Sequence, residues 1–166
     1  MPEVTPEYVR DVLDYDPETG VFRWKKSYSK PKIGCRAGGV VVKGRNKDPY
    51  RVIGLLYKVY FEHRLAWLYV HGCWPSKDID HINGVGTDNR LSNLREATEA
   101  QNMANACGWS HNTSGYRGVV RKRNKYQARI GKNGKIHVGT FDDPVAAHQA
   151  YMTKMRELFG EFVREE

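Results

Sequence analysis

The chain has 166 residues and carries 27 Lys or Arg against 19 Asp or Glu, which gives a formal net charge of +8. This length suits one domain or two small ones, and the positive charge predicts an acidic partner such as nucleic acid. The longest apolar runs are far too short for a membrane-spanning helix, so the sequence predicts no membrane association of that kind.

The charge is unevenly distributed along the chain. Residues 1–110 hold 16 basic against 13 acidic residues, a net of +3, and residues 111–166 hold 11 against 6, a net of +5. The shorter C-terminal third therefore carries most of the excess charge, which is typical of a module that binds a polyanion. A generally basic, soluble protein is the alternative interpretation of the same charge.

The cysteines and the first residues bear on the cellular environment. Cys35, Cys73 and Cys107 stand far apart, and no CxxC spacing occurs. We therefore expect neither a structural zinc site nor a disulfide framework. The opening MPEVTPEYVR shows no basic region followed by an apolar run, so no signal peptide is predicted. The expectation is a reduced, cytoplasmic protein.

The N-terminal part of the chain predicts a helix, several strands and a second helix. Thr5 followed by Pro6 is a typical N-cap with proline at the first helical position. Segment 63–70 predicts a helix that ends near Gly72. The strands predicted between these two helices are 21–24, 33–42 and 50–62.

The segment 78–105 concentrates polar side chains that bear on chemistry. Asp80 and His81 follow an apolar residue, as at the end of a strand, and a loop rich in Gly and Asn comes next. Asn93 opens a second extended segment, and Asn102 lies on a predicted helix that follows. A strand, a loop, a second strand and a helix can bring one carboxylate, one imidazole and two amides to a single point.

This group suits metal-assisted hydrolysis of a phosphate diester, an anion with a poor leaving group that needs a base for water and a cation for developing charge. His81 is the candidate base, because an ordinary histidine pKa of about 6.5 keeps it largely neutral near pH 7. Asp80 and Asn102 supply only oxygen atoms, which favours a hard ion such as Mg²⁺, with Mn²⁺ as a substitute. Asn93 would accept a hydrogen bond from the second ring nitrogen of His81 and fix its orientation.

The phrases DHING, DNR, NLREAT and QN, with HRLAW upstream, resemble the HNH endonucleases of the ββα-metal fold, especially the phage and intron-associated homing type. The resemblance implies that His81 is the general base, that Asn93 orients it, and that Asp80 and Asn102 hold one divalent metal. Asn102 stands where the most familiar pattern has His. His63 of HRLAW is expected to be structural or to touch phosphate. The alternative for the whole segment is an ordinary polar turn.

Three strands and a helix are predicted after residue 115. YRGVVRKRN, KYQARIGK and KIHVGTFD alternate as strands, and the Asn-Gly at 133–134 predicts a hairpin turn. Asp143 followed by Pro144 predicts the start of the helix. One face of the sheet would pack on this helix, and the other is basic and suited to a DNA major groove. The apolar stripe of the helix consists of Ala147, Tyr151, Met155 and Leu158.

The segment from Gly115 to about Gly160, through YRGV and VGTFDDPVAAHQAY, resembles the DNA-binding domain of plant APETALA and ethylene-response-factor proteins, also found fused to phage homing endonucleases. Three positions depart from that family, at Val120, Arg129 and His137, so the family's target sequence is not transferred. The resemblance implies groove-facing places for Arg117, Lys122, Arg129, Lys135 and His137. It places two more residues within reach of phosphates, Arg121 and Arg123.

Together these features predict an α+β protein. A β-rich region leading into a ββα-metal HNH motif occupies 1–105, a linker covers 106–114, and a three-stranded antiparallel sheet packed on one helix occupies 115–166. The predicted function is a site-specific, homing-type endonuclease that acts as a monomer on double-stranded DNA and nicks one strand, in a bacterial host if phage-encoded. The main alternative is a non-cleaving DNA-binding regulator with a degenerate HNH fold. A nonspecific nuclease that acts as a toxin is a further alternative.

Overall fold

The computed structural model describes residues 3–26, 33–43, 48–106, 114–131 and 136–164. The chain divides into two compact units, Met1–Ala97 and Thr98–Glu166, built from helices and small antiparallel sheets. This confirms the mixed helix and sheet composition expected of an α+β protein. Among the described residues, no helix is long and apolar enough to cross a membrane. The predicted turn at 133–134, Lys135 and residues 107–113 lie outside the described ranges.

The first unit begins with a short helix and a two-stranded sheet. Helix α1 spans Pro6–Val12, and the Thr5 side chain accepts a hydrogen bond from the Tyr8 backbone N–H at 3.2 Å. This confirms the predicted N-cap, which satisfies one of the donors left free at a helix start. Strands β1 (Leu13–Asp16) and β2 (Val21–Trp24) pair antiparallel and contribute to the hydrophobic core of the unit.

A three-stranded antiparallel sheet follows, in the order β3-β4-β5. The single strand predicted over 50–62 is wrong, because Leu56 and Tyr57 adopt positive φ angles of 47° and 64° and reverse the chain. The strand predicted from residue 33 starts only after Gly38, which has a φ of 72°. The strands are β3 (Gly39–Lys43), β4 (Asp48–Leu55) and β5 (Lys58–Phe61).

Helix α2 supplies much of the core of the first unit. It spans Glu62–His71 and ends at Gly72 in the left-handed conformation, which confirms the predicted helix to within one residue at each end. Its inward side chains are completely buried and pack with Ile53 of β4. Those side chains are Leu65, Ala66 and Leu68.

Strands β6 (Asp78–His81) and β7 (Leu94–Ala97) pair antiparallel near the end of the first unit. A loop that closes in a 3₁₀ turn at Leu91–Asn93 connects them. This confirms that Asp80 and His81 end a strand and that a second strand follows the loop.

The second unit begins with helix α3, Glu99–Asn105. The Thr98 hydroxyl accepts from the Gln101 N–H at 3.3 Å, and the Gln101 side chain accepts from the Thr98 N–H at 2.8 Å. This reciprocal arrangement is a capping box. The predicted ββα motif would combine β6 and β7 of the first unit with α3 of the second, and it stays a prediction.

Three antiparallel strands and a long helix make up the rest of the second unit, with strand order β10-β9-β8. Helix α4 spans Pro144–Phe159. Asp143 caps its start, as predicted, and the Asp143 carboxylate accepts from the Ala146 N–H at 2.8 Å. The apolar stripe differs at one place, because Leu158 is 45% exposed and Met152 is buried instead. The strands are β8 (Val119–Lys122), β9 (Lys125–Ile130) and β10 (Ile136–Phe141).

Candidate active site

Asp80 and His81 end strand β6 with their side chains shielded from water. The exposed fraction is 4% for Asp80 and 6% for His81. The register of β6 with β7 places Asp80 opposite Arg95, whose Nε donates to Asp80 Oδ2 at 3.0 Å. The strand end therefore combines an imidazole with a carboxylate whose charge is balanced by a guanidinium.

A chain of buried hydrogen bonds runs from His81 to helix α2. The His81 Nε2 atom lies 3.0 Å from Asn89 Oδ1, and Asn89 Nδ2 donates to Glu62 Oε2 at 3.0 Å. The carboxylate of Glu62 in turn accepts from Arg51 Nε, at 2.9 Å for one oxygen and 3.0 Å for the other. Glu62 is 0% exposed and Asn89 is 1% exposed. A strand, a helix and the β6–β7 loop are thus joined to one histidine ring.

The orientation of the Asn89 amide determines which nitrogen of His81 carries the proton. A carboxylate only accepts hydrogen bonds, so the NH₂ group of Asn89 faces Glu62 and its oxygen faces His81. Nε2 is then protonated, and Nδ1 holds the lone pair of the neutral ring. Burial lowers the pKa of His81, against the opposing effects of the Asn89 hydrogen bond and the Asp80 carboxylate. The ring is therefore a neutral base near pH 7.

Asn93 has a different position from the one that the sequence predicts. Its Oδ1 accepts from the Asn83 N–H at 3.0 Å, and its Nδ2 donates to Asn83 Oδ1 at 3.0 Å and to the Asp88 carbonyl at 2.8 Å. The amide oxygen at His81 Nε2 belongs to Asn89, because Asn93 sits in the 3₁₀ turn and closes the loop. Asn93 therefore shapes the loop that carries Asn89.

His63, the first histidine of HRLAW, packs against His81. The ring centroids are 5.0 Å apart and the ring planes are nearly perpendicular, at 89°. Among the residues that the structure describes, the buried Nδ1 atom of His63 has no hydrogen-bond partner. Burial lowers the pKa of His63 to about 3, and the neighbouring His81 adds to the effect. His63 is therefore an uncharged ring that packs against His81.

Gly86 lets the β6–β7 loop approach the start of β4. A Cβ atom at this position would lie 2.7 Å from the Pro49 carbonyl oxygen and 2.7 Å from the Tyr50 ring. The Tyr50 ring centroid is 6.1 Å from that of His81. Any larger residue at Gly86 would therefore displace the loop or an aromatic neighbour of His81.

Asp80 and Asn102 are the residues that the sequence predicts for a divalent metal. Asn102 is exposed on α3, in the second unit, whereas Asp80 is buried in the first. Within the described ranges, no group of three or more His, Cys, Asp or Glu side chains is arranged to hold a metal. The donor atoms of both side chains are oxygens, the type of ligand that Mg²⁺ prefers.

The side of the C-terminal sheet opposite α4 is polar. Cross-strand register places side chains of β8, β9 and β10 on it, and we call this group the polar sheet face. The Arg129 guanidinium donates to Gln127 Oε1 at 2.5 Å, and His137 Nε2 lies 3.1 Å from Thr140 Oγ1. The structure thus brings three predicted DNA contacts together. The polar sheet face consists of Lys122, Lys125, Gln127, Arg129, His137 and Thr140, and the apolar Val120 lies opposite Gln127 on the same face.

The other predicted DNA contacts are placed differently. Arg117 is wrong as a groove-facing residue, because it is 6% exposed and donates to the carbonyls of Met103 and Ala104 at 3.1 and 2.8 Å. It therefore satisfies acceptors at the end of α3, which have no partner within the helix. Arg121 and Arg123 are exposed beside the β8–β9 turn.

Sequence reasoning missed the partners of His81. Asn89 was interpreted as a loop residue and Glu62 as a strand end, and no role was given to Arg51. Their contacts span 27 residues from Asn89 to Glu62 and 11 residues from Glu62 to Arg51. The available signal is a single acidic residue between Phe61 and His63.

Comparisons with known proteins give one family model and two viral relatives. Residues 60–104 match the family model described as HNH endonuclease. The chain is 36% identical over 118 residues to "Uncharacterized HNH endonuclease L560" of Acanthamoeba polyphaga mimivirus, covering 70% of this chain and 62% of that protein, less than two thirds of its length. It is 31% identical over 111 residues to "Protein 3.8" of Escherichia phage T7, covering 65% of this chain and 92% of that protein.

The residues matched by the family model run from the end of β5 through most of α3. They include His63, His81 and Asn89, the histidine pair and the amide that faces it. The histidine pair and the amide that faces it therefore lie within the matched segment. Residues 60–104 of the chain carry an HNH endonuclease domain.

Proposed function

We propose that the protein is a DNA endonuclease that hydrolyses a phosphodiester bond with His81 as general base. The observation that supports this most directly is the buried contact of His81 Nε2 with Asn89 Oδ1 at 3.0 Å, which leaves Nδ1 unprotonated. A neutral imidazole with a fixed basic nitrogen suits proton abstraction from water near pH 7. The family match over residues 60–104 supports the nuclease class.

In the proposed reaction, a water proton passes to Nδ1 of His81 while the water oxygen bonds to phosphorus. The bond from phosphorus to the 3′ oxygen breaks, and that oxygen takes up a proton, so the products are a 5′-phosphate and a 3′-hydroxyl. Asn89 accepts the Nε2 hydrogen throughout and stabilises the imidazolium that forms. Because burial lowers the pKa of His81, the proton is readily returned to solvent.

Asp80 and Asn102 would hold one Mg²⁺ ion, and Mn²⁺ is expected to substitute. A bound divalent cation supplies neutralisation of the charge that develops on the phosphate and on the leaving oxygen. Asp80 is buried, and Arg95 balances its charge at 3.0 Å. Carboxylate oxygens are ligands that a hard cation such as Mg²⁺ prefers.

We assign DNA recognition to the second unit, residues 98–166, with its APETALA-like order of three strands and one helix. Lys122, Arg129 and His137 of the polar sheet face would contact the major groove, and Arg121 and Arg123 would contact phosphates. This anchoring would make the enzyme a site-specific nuclease of the homing type. With one general base, it would act as a monomer that nicks one strand.

A supercoiled plasmid that carries one target site tests this proposal. With Mg²⁺ we expect open circles to accumulate first, and with EDTA we expect no cleavage. Linear DNA formed directly, at a rate that rises with the square of enzyme concentration, would contradict a monomeric nickase. Tight, specific binding without any cleavage by the wild-type protein would favour the alternative, a DNA-binding regulator.

A further inference from the structure

Glu62 is an unusual residue for the first position of a helix, because its carboxylate is 0% exposed. Acidic residues favour the first turn of a helix, yet they normally remain in contact with water. This carboxylate instead contacts Arg51 at 2.9 Å and Asn89 at 3.0 Å. A DNA phosphate cannot reach a group with this degree of burial, so Glu62 is not a substrate contact.

Stability alone does not account for this buried ion pair. Removing two charges from water is unfavourable, and well-packed apolar residues of the same volume often replace such a pair without loss of stability. Burial raises the pKa of Glu62, and the Arg51 guanidinium and the Asn89 amide both oppose that rise. Contacts with Arg51 and Asn89 thus offset the cost of removing the Glu62 carboxylate from water. Asn89 in turn contacts His81.

We propose that Glu62, held by Arg51, is a positioning residue that fixes the Asn89 amide and thereby selects the tautomer of His81. This inference rests on the proposed function, in which His81 is the general base. Its physical basis is an asymmetry between the possible side chains at position 62. A carboxylate can only accept, whereas an amide can present either an oxygen or an NH₂ group.

With Glu62 present, a reversed Asn89 amide would place its oxygen against a carboxylate that has no hydrogen to donate. The reversed amide would also donate to His81 Nε2, which would move the ring proton to Nδ1 and leave the basic nitrogen occupied by Asn89. The basic nitrogen of the ring would then be Nε2, which faces the hydrogen-bond chain. The charge on Glu62 therefore excludes the inactive tautomer.

The backbone around Asn89 is held by contacts that do not involve Glu62 or His81. The Tyr15 hydroxyl donates to the Asn89 carbonyl at 2.7 Å. A Cβ atom on Gly20, which has a φ of 69°, would lie 2.4 Å from the Asn89 carbonyl carbon. With the backbone held on this side, changes at position 62 would act on the amide orientation and not on the path of the loop.

Glu62→Gln tests the proposal, since it keeps the shape and removes the charge. We expect kcat for plasmid nicking to fall about 10- to 100-fold, as is usual for groups that orient an active-site histidine, with KM little changed. The ¹⁵N chemical shifts of the His81 ring, measured without DNA or metal, should change from a single Nε2–H tautomer to a mixture. Glu96→Gln is the matched control, because Glu96 accepts from backbone N–H groups of Ser76 and Lys77 outside this chain.

A double variant, Glu62→Gln with Asn89→Asp, moves the carboxylate from position 62 to position 89, next to His81. Asp at position 89 can only accept, so it again requires Nε2–H on His81, while Gln at position 62 can donate to it. We expect this variant to recover the Nε2–H tautomer and at least part of the lost kcat. A role of Glu62 in stability alone predicts no such recovery.

Retention of both wild-type kcat and a single Nε2–H tautomer in folded Glu62→Gln would overturn this inference while leaving His81 as the base. Full cleavage by His81→Ala would overturn the proposed function instead, so the two failures are distinguishable. If Glu62→Gln does not fold, the ¹⁵N chemical shifts of the His81 ring in the wild-type protein, measured without DNA or metal, still test the proposal. A single Nε2–H tautomer would support it, and an Nδ1–H tautomer or a mixture would overturn it.

Discussion

The polar side chains of the candidate active site are buried, whereas those on the polar sheet face are largely exposed. In the first unit Glu62, Asn89 and His81 are almost fully buried and are linked by contacts of about 3 Å. In the second unit Lys122 and His137 are exposed on the polar sheet face. A buried network allows one geometry, because every unpaired group there is costly, whereas an exposed surface allows many. Substitutions in the buried network should therefore act on reaction rate, and substitutions on the polar sheet face should act on affinity.

The largest effect should come from His81→Ala. Removal of a positioned general base should reduce the rate of plasmid nicking by at least about 10²-fold, with DNA affinity nearly unchanged. Single-turnover cleavage and an electrophoretic mobility shift measure the two quantities separately. A parallel loss of affinity would contradict the separation of catalysis from DNA binding. Near-wild-type cleavage would exclude His81 as the general base.

Substitution of the proposed metal ligands should have the next largest effect. Asp80→Ala and Asn102→Ala should each raise the Mg²⁺ concentration for half-maximal cleavage by about 10-fold or more, because each removes one of few protein oxygens on the ion. Titration of cleavage with Mg²⁺ at saturating DNA measures this change. Met103→Ala, at another exposed position of the same short helix, is a control for helix stability. Undiminished activity in EDTA would exclude a metal-dependent route.

The polar sheet face should show smaller, additive effects. Lys122→Ala and Arg129→Ala should each weaken DNA binding and, where the side chain meets a phosphate, flatten the plot of log K against log salt concentration by about 1. Lys154→Ala removes the same charge from α4, where Lys154 pairs with Glu157 at 2.7 Å, and should leave the slope unchanged. Equal slopes for all three variants would mean that this face does not carry the binding.

The smallest effect concerns His63 and stability. Its pKa is about 3 in the folded protein and near 6.5 in the unfolded chain, so between these values the unfolded state binds the extra proton. The free energy of unfolding should fall as the pH is lowered from 6.5 towards 3, by up to about 1.4 kcal/mol per pH unit. Urea unfolding at pH 7 and pH 5.5 measures this, and the loss should be smaller in His63→Gln. The same loss in both proteins would assign the pH effect elsewhere.

The sequence predicts well those elements whose formation depends on neighbouring residues in the chain. Helix caps at Thr5 and Asp143 and the strand that ends in His81 follow local rules, and the structure confirms them. The hairpin turn at Leu56 and Tyr57 has no Gly or Asn signal, so one long strand was predicted there.

Side-chain partners were harder to predict than elements. The family motif predicts that Asn93 binds the His81 ring, but the contact comes from Asn89, four residues earlier in the loop. Arg117 was placed on the groove side by its position in a family pattern, but its guanidinium is used at the end of α3. Contacts between residues distant in sequence depend on packing, which has no local signature.

The separate cores of the two units have a consequence for heat denaturation. Val9, Phe22 and Leu65 belong to one cluster, and Val119, Ala128 and Tyr151 belong to another. Cooperative melting arises within a core, so a chain with two cores need not have one transition temperature. In scanning calorimetry each unit is expected to give its own endotherm. A cavity made in one cluster, for example by Phe22→Ala, should then move one peak and leave the other in place.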